Sequence, residues 1–221
     1  MKKLITVILI VSLVGFYNFV IVKKETKKVT KLKTVVKKNK IIKKKKMVVF
    51  LQPLGDVGQP YIDVLKNSIE TFYGFDCVIK EKIDFTNDIL SKSKTRYDAD
   101  KILNKFNGNN YLIIITEKDI ACKNENIPEW GIFGLGFCPG KTCVLSTFRL
   151  KRNVTEYVVM ERLKKIVLHE IGHNLGLDHC SNDKKCMMND ADGTIKQVDR
   201  ENIWLCNKCK VVVKIYNPLF K

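Results

Sequence analysis

The string HEIGHNLGLDH, residues 169–179, constrains this chain more than any other feature. It closes a longer stretch, TEYVVMERLKKIVLHEIGHNLG, whose apolar spacing predicts one helix from an N-cap at Thr155 to a stop at Gly176. His169 and His173 stand four residues apart on that helix, so both imidazoles leave one face a single turn apart. Two ligands of one tetrahedral zinc need that separation. Glu170 falls on an adjacent arc, within reach of a metal-bound water but outside the ligand set. Gly176 permits the left-handed backbone that reverses a chain after a helix, which lets His179 return as a third ligand. Three protein ligands leave the fourth position open, the mark of a catalytic rather than a structural zinc. The chain has only three histidines, and all lie in these eleven residues, which argues against three unrelated positions.

Cysteines follow at once. Cys180 adjoins His179, Cys186 comes six residues later, and Cys206 and Cys209 form a CxxC. Two such pairs read as a closed zinc site of four thiolates that ties the segment after the helix to the C-terminal region. A pair of disulfides is the competing reading, and it weakens if the domain is cytosolic, where thiols stay reduced. Cys77, Cys122, Cys138 and Cys143 read as small core or surface thiols. Cys138 and Cys143 flank a predicted turn and could cross-link a hairpin in an oxidising compartment.

The remaining pattern predicts an α/β sheet backed by helices. MVVFLQPLG reads as a buried strand, GQPYIDVLKNSIETFYG as a helix stopped at Gly74, and DCVIKEKI as an alternating strand. A second helix is expected near RYDADKILNKFNG. NYLIIITEKDI reads as a β-branched strand buried on both faces, and WGIFGLGFCPGKTCVLSTFRL as two strands around Pro139-Gly140. These elements place one domain over residues 47–221.

Charge separates that domain from a leader. The formal net charge is +17, but residues 2–46 hold 15 lysines against the single acid Glu25, so most of the excess sits there. Residues 4–22 carry no charge over 19 positions and have lysines on both sides. About 20 helical residues span a bilayer core, so this segment reads as a single N-terminal transmembrane anchor. A cleaved signal, which would leave the domain secreted or lumenal, is the alternative; its apolar region is usually nearer 7–15 residues. The run from Lys23 to Lys46 reads either as a solvated linker or as a juxtamembrane segment lying on anionic lipid. It has no interleaved arginine or aromatic residue, which disfavours nucleic acid as a partner. Lysines concentrated on the C-terminal flank place the domain on the cytosolic side.

The spacing HExxHxxGxxHC, then CxM, then CxxC, resembles the archaemetzincins, a branch of the metzincin zinc peptidases. SNDKK puts five residues between the first two cysteines where that family has four, and the family's 17 residues between the CxM methionine and the CxxC are matched by residues 189–205. LQPLG, YDADKIL, VLSTFRL and VDRENI extend the resemblance from about Met47 to Cys209.

The resemblance implies a metzincin-like domain, a twisted mixed sheet with an antiparallel edge strand. It implies two zinc ions per chain: a catalytic one on His169, His173 and His179, with Glu170 as general base, and a structural one on Cys180, Cys186, Cys206 and Cys209. Met188 matches the methionine of the turn beneath the catalytic zinc, with Met187 adjacent. GIFGLGF, residues 131–137, matches the edge strand along which extended substrates bind. The expected activity is hydrolysis of peptide or protein substrates by a zinc-bound water that Glu170 deprotonates. Nothing specifies an oligomer, and a monomer is expected. Two other classes stay open: an inactive two-zinc binding module tethered to a membrane, and a structural zinc protein. The intact Glu170 speaks against the first, and the three-histidine motif against the second.

Overall fold

The computed structural model describes residues 46–191 and 193–221. The predicted anchor and nearly all of the lysine-rich run lie outside the described residues. Among the described residues, no helix is long and apolar enough to cross a membrane.

The main sheet has five strands. β1 (Val48–Pro53) leads into helix α1 (Gln59–Tyr73), which carries a proline in its first turn and crosses back to β2 (Asp76–Ile79), parallel to β1. β3 (Tyr97–Asp98) runs into α2 (Ala99–Phe106), where the Asp98 carboxylate accepts from the Lys101 amide at 3.0 Å and so caps the helix. β4 (Tyr111–Thr116) pairs in parallel with β1 on one side and with β8 (Thr142–Ser146) on the other. β7 (Gly134–Gly136) pairs antiparallel with β8 and closes the edge, giving the order β2-β1-β4-β8-β7. Between them, β5 (Ile120–Asn124) and β6 (Ile127–Ile132) form an antiparallel hairpin, and with β3 they make a second, three-stranded sheet.

The central strands are buried on both faces, as a β-branched run predicts. Ile113, Ile115, Cys143 and Leu145 face one core with Tyr61, Leu65 and Ile69 of α1, while Ile114 and Val144 face another with Ile102 and Leu103 of α2. The helix predicted from Thr155 is α3 (Glu156–Asn174), packed on the first of these faces with Leu163 and Val167. Thr155 occupies the N-cap, although its side chain makes no capping bond. α1 is fastened to α3 by the Tyr73 hydroxyl, which donates to the Leu168 carbonyl at 2.7 Å. Two short helices, α4 (Ile195–Arg200) and α5 (Asn207–Tyr216), complete the chain. Arg162 joins α4 to α3 by donating to both Asp199 oxygens at 2.7 Å.

Two strand assignments need correction. NYLIIITEKDI is not one strand: β4 stops at Thr116, whose hydroxyl accepts from the Lys118 amide at 3.2 Å, and Ile120 starts a strand of the other sheet. Asp119 holds that corner through Arg96 at 2.9 Å and Arg149 at 2.7 Å. GIFGLGF is also divided, since Gly131 and Ile132 belong to β6, and only Gly134–Gly136 forms the edge strand. Periodicity registers neither break, because each is a short bend, at residues 117–118 and at Phe133, inside an otherwise strand-like run.

Candidate metal centre and active-site cleft

Helix α3 delivers His169 and His173 one turn apart, and the backbone reverses at Gly176, where φ is +89°. The reversal brings His179 to within 5.5 Å of His169 and 4.9 Å of His173 between ring centroids. One ligand atom from each of the three lies within 4.8 Å of the others.

The Nδ1 contacts explain the orientation. His169 Nδ1 donates to the Met187 carbonyl at 2.6 Å, and His173 Nδ1 to the Leu177 carbonyl at 2.7 Å. His179 Nδ1 lies 3.1 Å from Asp190 Oδ2. A carbonyl only accepts, so Nδ1 of His169 and His173 keeps its proton and Nε2 presents a lone pair. Burial, with His173 alongside, lowers His169 to about 3, and burial lowers His173 as well. Both are therefore neutral at ordinary pH, the form that binds a cation. This donor set fits zinc.

Glu170 stands beside the triad and 6 % exposed, and burial pushes its carboxyl up to about 8. The edge strand determines where it sits. A Cβ added at Gly134 would lie 2.6 Å from Glu170 Oε1, so only glycine lets β7 approach this closely. Gly134→Ala should displace the carboxylate, and any reaction that uses that carboxylate should slow about 10²-fold, since a shift of about 1 Å in a reacting group has that effect. Steady-state kinetics beside a melting curve measures this; unchanged kinetics would mean that Glu170 is not held by β7.

Met188 is fully buried against the helix, and a Cβ on Gly172 would meet its Sδ at 2.4 Å. Met187 is also fully buried, but it contributes its backbone carbonyl to His169. Both methionines thus support the triad, one by side-chain packing and one by main-chain orientation.

The four predicted cysteines converge separately. Sγ separations are 3.6 Å for Cys180–Cys206, 3.6 Å for Cys206–Cys209 and 3.9 Å for Cys186–Cys209. Disulfide sulfurs lie about 2.05 Å apart, whereas a zinc tetrahedron with bonds of about 2.3 Å has edges near 3.8 Å. The spacing fits the tetrahedron, and all eight cysteines are free thiols. Burial raises Cys186 and Cys209, while hydrogen bonds, chiefly from Asn182, outweigh burial at Cys180 and lower it to about 6. Of the remaining thiols, Cys77 and Cys143 are buried, Cys122 is half-buried and Cys138 is exposed. The possible Cys138–Cys143 cross-link is absent. The extra residue of SNDKK is absorbed in a loop where Cys186 donates its amide to Asp183 and Cys180 donates to Met188.

The triad opens into a cleft of about 730 Å³ between β7, the β5–β6 hairpin and the segment around α4. Sequence reasoning missed two groups here. Gly134 carries no chemistry of its own, and Glu201, 5 % exposed and lining the cleft, stands in VDRENI with no role that its sequence context assigns.

A mixed α/β domain whose histidine helix lies under an antiparallel edge strand, with a buried glutamate beside three convergent imidazoles, defines the class as zinc metallopeptidase. The profile of peptidase family M54 matches residues 66–215. The archaemetzincin of Archaeoglobus fulgidus is 32% identical over 163 residues, covering 74% of this chain and 96% of that protein. That of Halobacterium salinarum is 29% identical over 178 residues, covering 76% and 99%. The chain is similar to the crystal structure of the Archaeoglobus fulgidus archaemetzincin complexed with malonate, with TM-score 0.66, 31% identity and coverage of 75% and 99%. The Methanopyrus kandleri archaemetzincin shares the fold, with TM-score 0.65, 23% identity and coverage of 79% and 97%. This chain belongs to peptidase family M54, the archaemetzincins.

Proposed function

We propose that His169, His173 and His179 hold one catalytic zinc, that Glu170 is the general base of peptide-bond hydrolysis, and that Cys180, Cys186, Cys206 and Cys209 hold a second, structural zinc. The supporting observation is the use of Nδ1 at all three histidines, toward Met187, Leu177 and Asp190, which leaves three Nε2 atoms as ligands beside the Glu170 carboxylate. When bound, zinc supplies Lewis acidity that acidifies water and polarises a carbonyl. The chain's own groups do the rest. Glu170, ionised once a zinc's charge nearby offsets the burial that raises its carboxyl, takes a proton from water in the cleft and passes it to the amine nitrogen that leaves. The outer side of β7, at the sheet edge, offers backbone amides and carbonyls to an extended peptide or protein substrate as an added strand. Met188 packs beneath the triad, and Met187 and Leu177 fix two imidazoles through their carbonyls.

On the basis of sequence, residues 4–22 tether the enzyme to a membrane, the lysines from Lys23 onward lie on anionic lipid, and the peptidase domain faces the cytosol, where its thiols stay reduced. An inactive two-zinc module would leave the buried Glu170 without a use. Metal analysis of the purified full-length chain tests the site assignment. Two zinc ions per chain are expected, falling to one in His173→Ala, whereas Cys206→Ser should lose the ion of the cysteine site and weaken the three-histidine site with it. A single zinc in the parent, or a His173→Ala chain that keeps both ions or loses both without unfolding, would contradict it.

A further inference from the structure

The cleft contains a charged group that hydrolysis, as proposed above, does not use. Going from His169 one turn back toward the start of α3, its lining passes through Ile166 and then to Val198 and Glu201 of the α4 segment. Ile166 and Val198 are apolar and buried, and Glu201 is itself 5 % exposed. A carboxylate this buried is normally paired with a cation. Glu201 has instead one long hydrogen bond, from Gln197 Nε2 at 3.4 Å, and among the described residues it forms no ion pair. Lys165 is near enough to favour the anion, but its ammonium donates to the carbonyls of Val198 at 2.8 Å and Asp199 at 3.3 Å. Asp190, which faces His179, adds negative charge.

We propose that Glu201 receives the ammonium or guanidinium of a lysine or arginine side chain adjoining the scissile bond, with Ile166 and Val198 flanking its aliphatic stem. Lysine and arginine match this lining because they carry an apolar stem and a charged tip. Burial raises Glu201 to about 7, so an arriving cation restores the charge that burial disfavours. Acidic residues are rejected at the same position by like charge. Glycine or alanine would leave the acid without a partner. Glu201 and His169 line one cleft, so the residue it selects falls near the bond that is cut. Of the cleft's other ionisable lining groups, Lys123 and Glu125 stand on the β5–β6 hairpin, Asp190 faces His179, and Glu170 lies against Gly134 of β7.

The inference rests on the peptidase reading, so its test separates the two. Paired peptides differing only in lysine against norleucine, which keeps the stem and drops the ammonium, are given to the zinc-loaded full-length chain. Their binding by a Glu170→Gln chain is measured in parallel by calorimetry. We expect kcat/KM and affinity each to favour lysine by about tenfold or more. Glu201→Gln should bring lysine down to the level of norleucine, and Glu201→Lys should turn the preference toward glutamate peptides. Equal handling of the pair by the parent, or a preference that survives Glu201→Gln, overturns the proposal. If neither peptide is cut but lysine binds preferentially, the pocket stands and the hydrolytic reading falls. If both are cut equally, the hydrolytic reading stands and the pocket falls. If they are neither cut nor bound preferentially, both fall.

Discussion

A Glu170→Gln chain should bind as much zinc as the parent and hydrolyse peptides about 10²–10⁴-fold more slowly, the range that a positioned general acid–base contributes. Glutamine keeps the shape that fits beneath Gly134 and Gly136, where added side chains would meet the Glu170 carboxylate. It removes only the proton acceptor. The metal should remain because the three imidazoles that converge do so without Glu170, each oriented by its own Nδ1 partner. Zinc content and kcat/KM on one peptide, taken from the same preparation, check both halves of this expectation. Loss of zinc with the activity would show that Glu170 ligates the metal or holds its ligands in place.

Cys206→Ser should disrupt both sites, although it touches only one. Four-ligand zinc sites in zinc-finger peptides bind with about 10–16 kcal/mol, and a whole domain is usually stable by only about 5–15 kcal/mol. Losing much of the former therefore threatens the latter. The damage should also spread by a short path. Cys186 adjoins Met187, whose carbonyl orients His169, and Met187 donates its own amide to the Trp204 carbonyl two residues before Cys206. Cys180 adjoins His179 and donates its amide to Met188. The two sites share one backbone frame. The expected result is a melting temperature lower by well over ten degrees and peptidase activity at background. Thermal melts with and without chelator check this. A variant that melts like the parent and still cuts peptides would show that the cysteine cluster neither holds metal nor supports the triad.

The catalytic helix was legible because its information is local. The i, i+4 spacing of His169 and His173 and the stop at Gly176 need no tertiary knowledge, and the cysteine spacings carry a ligand geometry of their own. The parallel strands were legible because burial on both faces leaves an unbroken apolar run, as in residues 111–116. What escaped was set by contacts between distant segments. The transfer of the chain from β4 to β5 depends on Asp119 meeting Arg96 and Arg149, neither of which is its neighbour in sequence. Gly134 matters only because Glu170 lies against it from another element. Glu201 looked like any acid in VDRENI until burial beside Ile166 and Val198 set it apart.

The most direct measurement of the central claim is cleavage of a mixed peptide library by the full-length chain before chelation, after chelation and after zinc is returned, read by mass spectrometry. Cuts that vanish with the metal and reappear at the same bonds when the three-histidine site refills are the predicted result. A folded chain carrying zinc at both sites that leaves every peptide intact would contradict it.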